Sequence, residues 1–170
     1  MSYKPKTKLG ILGGGQLGRM LIQETINLDI DVHVLDPDKD APCKDIAHSF
    51  TYGSFKDYDS VLAFGKTMDV VTIEIEHVNV DALEQLEKEG IKVYPQPNVI
   101  RLIQDKGAQK EFYQKHNIPT SPYRLIGENE AVNHTGFFPV FQKLTKDGYD
   151  GKGIQPLKSE ADLESAFTAP

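Results

Sequence analysis

The chain has 170 residues, enough to bury a core without disulfide or metal staples but short for a multidomain enzyme complete in itself. Apolar residues at 39 % and charged residues at 26 % describe a soluble globular protein and exclude a disordered or collagen-like chain. A formal net charge of -6 argues against a protein that wraps phosphate backbones, so no nucleic-acid partner is expected. Leu9-Gly10-Ile11-Leu12 reads as a short buried strand running into Gly13-Gly14-Gly15, and the next segment places Leu17, Met20, Leu21, Thr25 and Leu28 on one helical face. Residues 31–36 alternate polar and apolar as a strand, which stops at Asp36-Pro37-Asp38 because proline cannot continue a sheet ladder. Ser49 to Tyr52 is a weaker strand and Tyr58 to Lys66 a short helix. The β-branched run Asp69 to Ile75 has the character of a buried parallel strand. Val80 to Glu89 returns to helix with Leu83 and Leu86 inward, and Ile91 to Tyr94 is a further strand. This alternation implies an open parallel sheet with helices on both faces.

The pattern changes after Pro95 and Pro97. Asn98 to His116 is helical with a break at Asp105-Lys106-Gly107, and residues 118–123 form an extended connector, since a residue before proline is pushed out of the α region. The boundary between two units is placed at Gln104. Phe137 to Leu144 reads as a strand, Thr145 to Gly153 as a glycine-rich loop and Ile154 to Leu157 as the returning strand, with a helix starting at Ser159. The second unit looks unfinished at Pro170. Cys43, the single cysteine, excludes an internal disulfide framework and a cysteine-based zinc site, and reads as an ordinary thiol of a reducing compartment. The basic start is followed by only a short apolar run, so no secretory signal and no membrane partner is expected, and the cytoplasm is the default.

Three segments carry candidate chemistry. Gly13-Gly14-Gly15-Gln16-Leu17-Gly18 matches G-x-G-x-x-G between a strand and a helix, with Asp36 23 residues past Gly13. Glycines let the backbone approach a phosphate, the free amides at a helix start supply donors, and Arg19 would add a full charge. The same turn also serves mononucleotides or close helix packing without any ligand. Glu74 and Glu76 end the most apolar strand, where open sheets bind ligands, and pleat alternation places both carboxylates on one side, suited to ribose hydroxyls or an amine. His77 has no second ligand at metal spacing. Lys143 closes a strand and is followed by Lys146 and then by Gly148, Gly151, Lys152 and Gly153, a mobile loop whose amides and lysines suit phosphate oxygens, a flexible hairpin tip being the plain alternative. The Walker pattern is absent at both glycine clusters.

Gly-Gly-Gly-Gln-Leu-Gly-Arg-Met at 13–20, Thr-Ile-Glu-Ile-Glu-His at 72–77 and Gly-Tyr-Asp-Gly-Lys-Gly at 148–153 together resemble the 5-(carboxyamino)imidazole ribonucleotide synthases, ATP-grasp ligases of purine biosynthesis. The resemblance implies a Rossmann-like pre-ATP-grasp domain over 1–104 and the beginning of an ATP-grasp α+β unit over 105–170. It also implies that ATP phosphorylates bicarbonate to carboxyphosphate and that the amine of 5-aminoimidazole ribonucleotide takes up the carboxyl group. By the same resemblance Gly15, Gln16, Leu17 and Arg19 fall at the ribonucleotide phosphate and Glu74, with Glu76, at its ribose. Lys106, Lys143, Gly148, Tyr149, Asp150, Gly151, Lys152, Gly153 and Ile154 fall at ATP-contacting positions. Lys106 stands where relatives often carry arginine, which keeps the charge and loses the bidentate fork. The magnesium ligands are expected outside this chain, which by itself is expected to be inactive, and the full-length enzyme is expected to be a homodimer. Two other readings stand beside this one. A nicotinamide-dependent oxidoreductase would use the Gly13–Gly18 turn with Asp36 on an adenosine ribose, leaving the 148–153 loop unexplained. A non-catalytic nucleotide-binding module would bind without turnover.

Overall fold

A computed structural model of the chain describes residues 6–127, 138–146, 148 and 153–167. It divides into two units, residues 1–101 and 102–170, so the division falls between Arg101 and Leu102, within α4 (Pro97–Gln104). The first unit contains five parallel strands, β1 (Lys8–Leu12), β2 (Asp31–Asp36), β3 (Ser49–Tyr52), β4 (Val70–Ile73) and β5 (Lys92–Val93), ordered β3-β2-β1-β4-β5. α1 (Gln16–Thr25) joins β1 to β2, α2 (Tyr58–Gly65) joins β3 to β4, and α3 (Val80–Lys88) joins β4 to β5. The chain leaves β1 toward β2 and β3, then returns past β1 to build β4. That reversal opens a crevice beyond the carboxyl ends of β1 and β4.

Alternate residues of the central strands feed two cores. Leu12, Leu35 and Val71 pack with Val61 of α2, Leu83 and Leu86 of α3 and Ile100 of α4 on one face. Ile11, Val32 and Val34 pack with Ile22 of α1 and with Cys43 on the other. The sheet is therefore covered on both sides, and strands so placed lose their half-polar character. β2 accordingly departs from the expected alternation: Val32 to Asp36 are all buried, His33 included, whose Nδ1 lies 2.6 Å from Ser49 Oγ. α2 and α3 start at carboxylate and amide caps, Asp57 accepting from the Ser60 amide at 2.8 Å and Asn79 from the Ala82 amide at 2.9 Å.

The expected face of α1 is corrected. Leu17, Met20 and Leu28 are 62 %, 60 % and 68 % exposed, whereas Gly18, Ile22 and Thr25 are buried. Close approach decides the rotation. A Cβ on Gly18 would lie 3.0 Å from the Gly13 carbonyl oxygen and 3.1 Å from Cys43 Sγ, so the helix turns its smallest residue, not its largest apolar ones, toward the sheet. β4 is shorter than the expected 69–75, ending at Ile73 with residues 74–76 in a bend.

The second unit holds α5 (Lys106–Lys115) and an antiparallel pair, β6 (Val140–Lys143) and β7 (Ile154–Leu157), with Lys143 opposite Ile154. Asp105, at the expected helix break, caps α5 by accepting from the Ala108 amide at 3.0 Å. A 3-10 helix, Glu160–Ser165, stands where an α-helix start was expected, the Ser159 amide donating to the Asp162 carboxylate at 3.1 Å. Phe137, the first residue of the strand expected over 137–144, lies outside the described residues.

Candidate functional site

The parallel register of β1 and β4 makes the site. Leu12 is paired with Ile73, and the next residue of β4's chain donates onward, Glu74 N–H to the Leu12 carbonyl at 2.9 Å. Glu74 is thereby set beside the glycine turn although 61 residues separate it from Gly13. On the other flank the Gly13 amide donates to the Leu35 carbonyl at 3.0 Å. Gly13 has φ +106°, a conformation that L side chains rarely adopt, and a Cβ there would lie 2.7 Å from Glu74 Oε2. Gly14 is closed in by Val34, Ala41 and Asp36, and its carbonyl accepts from the Cys43 amide at 3.0 Å.

Two carboxylates sit on the amides of this turn. Asp36 Oδ2 accepts from Gly14 N–H at 2.6 Å and its Oδ1 from Asp38 N–H at 2.7 Å. Both oxygens of this buried side chain are thus used in tying the turn to the segment after β2. The nicotinamide reading asks Asp36 to bind ribose hydroxyls, and these bonds give it a structural task instead. Glu74 accepts hydrogen bonds from the backbone amides of Leu17 and Gly15, at the start of α1. Burial pushes its carboxyl above the ordinary value and the neighbouring Asp36 adds to the push, while the two amides pull the other way. Cys43 is fully buried, with Sγ 3.5 Å from the Gly15 carbonyl oxygen. Burial raises its pKa, helped by Glu74 and Asp36, so it is a packed thiol with no activated thiolate.

Gln16, Leu17 and Arg19 are exposed on the first turn of α1, and Gly15 is half-buried at its start. The structure therefore brings Gly15, Gln16, Leu17 and Glu74 together. Glu76 is placed by a different rule from the one expected. The pleat ends at Ile73, so strand alternation does not extend to Glu76, whose carboxylate lies 3.6 Å from His77 Nε2. The role of Asp36 as a turn clamp was missed in the sequence; its signal was the Asp-Pro-Asp cluster, where a carboxylate can accept the amide two residues on. A groove of about 420 Å³ lies elsewhere, lined by Lys8, His33, Ser49, Thr51, Ser60 and Thr67, and none of the turn residues borders it.

In the second unit the Lys106 ammonium donates to the Gly148 carbonyl at 2.8 Å, and its own amide donates to the Thr145 carbonyl at 2.8 Å. The Leu144 amide donates to the Gly153 carbonyl at 2.8 Å, and Gly153 has φ +67° with a Cβ position 3.1 Å from Gly148 Cα. Lys106, Gly148 and Gly153 thus meet at the end of the hairpin, where Lys143 and Ile154 form the last strand pair. Tyr149, Asp150, Gly151 and Lys152 lie outside the described residues, as does most of the loop expected to be mobile. Among the described residues no three His, Cys, Asp or Glu side chains gather to hold a metal ion, and no helix is long and apolar enough to cross a membrane. Asp105, the acidic residue nearest this loop base, is engaged as a helix cap and lies 3.7 Å from Lys146 Nζ, so the described residues do not fit a magnesium site.

Residues 6–104 match the ribonucleotide synthetase preATP-grasp domain. The chain belongs to that family. Its relatives include the chloroplastic phosphoribosylaminoimidazole carboxylase of Vigna aconitifolia, 40 % identical over 162 residues, which cover 95 % of this chain and 29 % of that protein. The N5-carboxyaminoimidazole ribonucleotide synthetase of Thermotoga maritima superposes with a TM-score of 0.83 at 38 % identity, covering 95 % of this chain and 43 % of that one. The N5-carboxyaminoimidazole synthase of Aspergillus clavatus, solved with ADP and 5-aminoimidazole ribonucleotide, gives a TM-score of 0.79 at 36 % identity over 94 % of this chain and 43 % of its own. The chain thus spans less than half the length of these relatives. A glycine turn and an acidic residue meeting at the switch point are features of this preATP-grasp chain that its own register produces.

Proposed function

We propose that this preATP-grasp chain serves a 5-(carboxyamino)imidazole ribonucleotide synthase, supplying the ribonucleotide site and part of the ATP site. In that reaction a bicarbonate oxygen attacks the γ-phosphorus of ATP, releasing ADP and forming carboxyphosphate. The exocyclic amine of 5-aminoimidazole ribonucleotide then takes the carboxyl group and inorganic phosphate leaves. The observation that carries the reading is the meeting of the Gly13–Gly18 turn with Glu74 in the crevice between β1 and β4. Gly15, Gln16 and Leu17 offer amides to the substrate phosphate, with Arg19 adding positive charge, while Glu74 accepts from the ribose hydroxyls and Glu76 lies on the same rim. Lys106, Lys143, Gly148, Tyr149, Asp150, Gly151, Lys152, Gly153 and Ile154 are assigned to the phosphates and base of ATP, the lysines as point charges.

Magnesium would neutralise charge between the ATP phosphates. No step is routed through it, because the described residues gather no ligand set. Bicarbonate as the carboxyl source, a homodimeric full-length enzyme and a cytoplasmic setting belong to the same reading.

Ligand-dependent unfolding tests it. A ligand that binds only the native state raises apparent stability by an amount set by its concentration over its Kd. The expected result is a concentration-dependent upward shift with 5-aminoimidazole ribonucleotide and none with NADH. A shift with NADH and none with the ribonucleotide would reverse the assignment in favour of a dinucleotide enzyme.

A further inference from the structure

The amides assigned to the substrate phosphate are not bare. A carboxylate of the protein itself, Glu74, is seated on the N–H groups of Leu17 and Gly15, while Gly14 N–H is held by Asp36 and Gly13 N–H by the Leu35 carbonyl. An incoming anion therefore meets a turn whose positive potential is already partly neutralised, with a second carboxylate, Asp36, close enough to Glu74 to disfavour its ionised form. A free phosphate or sulfate must displace Glu74 and leave that carboxylate half-buried without donors, beside another negative charge. A sugar phosphate does not face the same cost. Its phosphate takes the amides while its hydroxyls, a few ångströms away on the same molecule, donate to the displaced carboxylate, so every charged group keeps a partner.

We propose that Glu74 is a specificity-determining residue that acts as an internal competitor at the Gly13–Gly18 turn, excluding free inorganic anions and yielding its amides only to a phosphate ester that carries neighbouring hydroxyl donors. This rests on the turn being the ribonucleotide phosphate site. The two assignments fail differently, because the competitor role is read with inorganic anions and the site role with the ribonucleotide. Gly13 is part of the device, since a side chain there would occupy the space in which Glu74 Oε2 lies.

The test titrates sulfate and ribose 5-phosphate into the 170-residue chain and into its Glu74→Gln and Glu74→Ala variants, by calorimetry at one pH and ionic strength. Removing the charge is expected to raise sulfate affinity about tenfold and to cut the preference for ribose 5-phosphate over sulfate by about a hundredfold. Sulfate affinity unchanged or lowered in both variants overturns the competitor role, even where 5-aminoimidazole ribonucleotide still binds the wild-type chain. Absence of ribonucleotide binding to the wild type instead removes the site on which the role depends. A readout on the wild type alone guards against variants that fold poorly. The Gly15 and Leu17 amide resonances are expected to move with ribose 5-phosphate and to stay in place at equal sulfate concentration, and equal movement with both overturns the proposal.

Discussion

The two glycine-rich segments are held in opposite ways. In the sheet unit, acidic side chains hold backbone donors: Asp36 on Gly14 and Asp38, Glu74 on Leu17 and Gly15. In the second unit a basic side chain holds a backbone acceptor, Lys106 on the Gly148 carbonyl. The first segment is assembled by parallel pairing of strands far apart in sequence, with Gly13, Gly14 and Gly18 buried. The second is the end of a local antiparallel pair, closed by one positive-φ glycine. Rigidity at the first follows from burial, since each of its glycines has a neighbour where a side chain would go. The second has one lysine and one hairpin hydrogen bond in its place.

The largest way to break this contrast is at Gly13. Gly13→Ala combines a strained φ with a Cβ against Glu74, and is expected to destabilise the sheet unit by about 3 kcal/mol, read as a lower urea midpoint. Asp36→Asn should follow at about 2 kcal/mol. An amide has one oxygen for the two N–H groups that Asp36 now accepts, so either Gly14 or Asp38 would face an NH₂ group. Lys106→Met removes one charged hydrogen bond at a partly exposed site, and a cost of about 1 kcal/mol is expected, confined to faster hydrogen exchange in the second unit. Equal effects of Asp36→Asn and Lys106→Met on the sheet unit would erase the distinction between the segments.

The smallest effect sharpens the comparison through pH. The Glu74 carboxyl titrates above its ordinary value of 4.5 in the folded chain, so the native state holds its proton more tightly than the unfolded state. Its contribution is fully favourable below about pH 4.5 and is lost as pH rises through the raised native value. The groups facing it are Asp36, the Leu17 and Gly15 amides and the Cys43 thiol. Relative to wild type, Glu74→Gln should therefore melt comparatively higher at pH 7 than at pH 4.5, and an offset constant across that range would mean that the carboxylate is not strained by its surroundings.

Much of the architecture was legible in the residues because it depends on local signals. The glycine run after Leu12, the Asp-Pro-Asp stop after β2, the caps at Asn79 and Asp105 and the apolar run of β4 each act within a few positions, and the observed elements follow them. The placement of Glu74 near the turn was readable from the rule that open sheets bind beyond their strand ends. Three things were not. Leu17, Met20 and Leu28 form a credible inward face by periodicity, yet the face chosen is that of Gly18, because contact with the Gly13 carbonyl and Cys43 outweighs apolar area. Asp36 carries the spacing of a ribose ligand, yet both of its oxygens serve amides of its own chain. Glu76 shares Glu74's parity, but parity has meaning only while a strand continues, and β4 ends at Ile73. The sequence by itself determined the order of the elements and where they start and stop, since those follow from backbone sterics and local hydrogen bonding. Which carboxylate meets which amide was decided only by the parallel register and the close packing of α1, because both join residues that the chain keeps far apart.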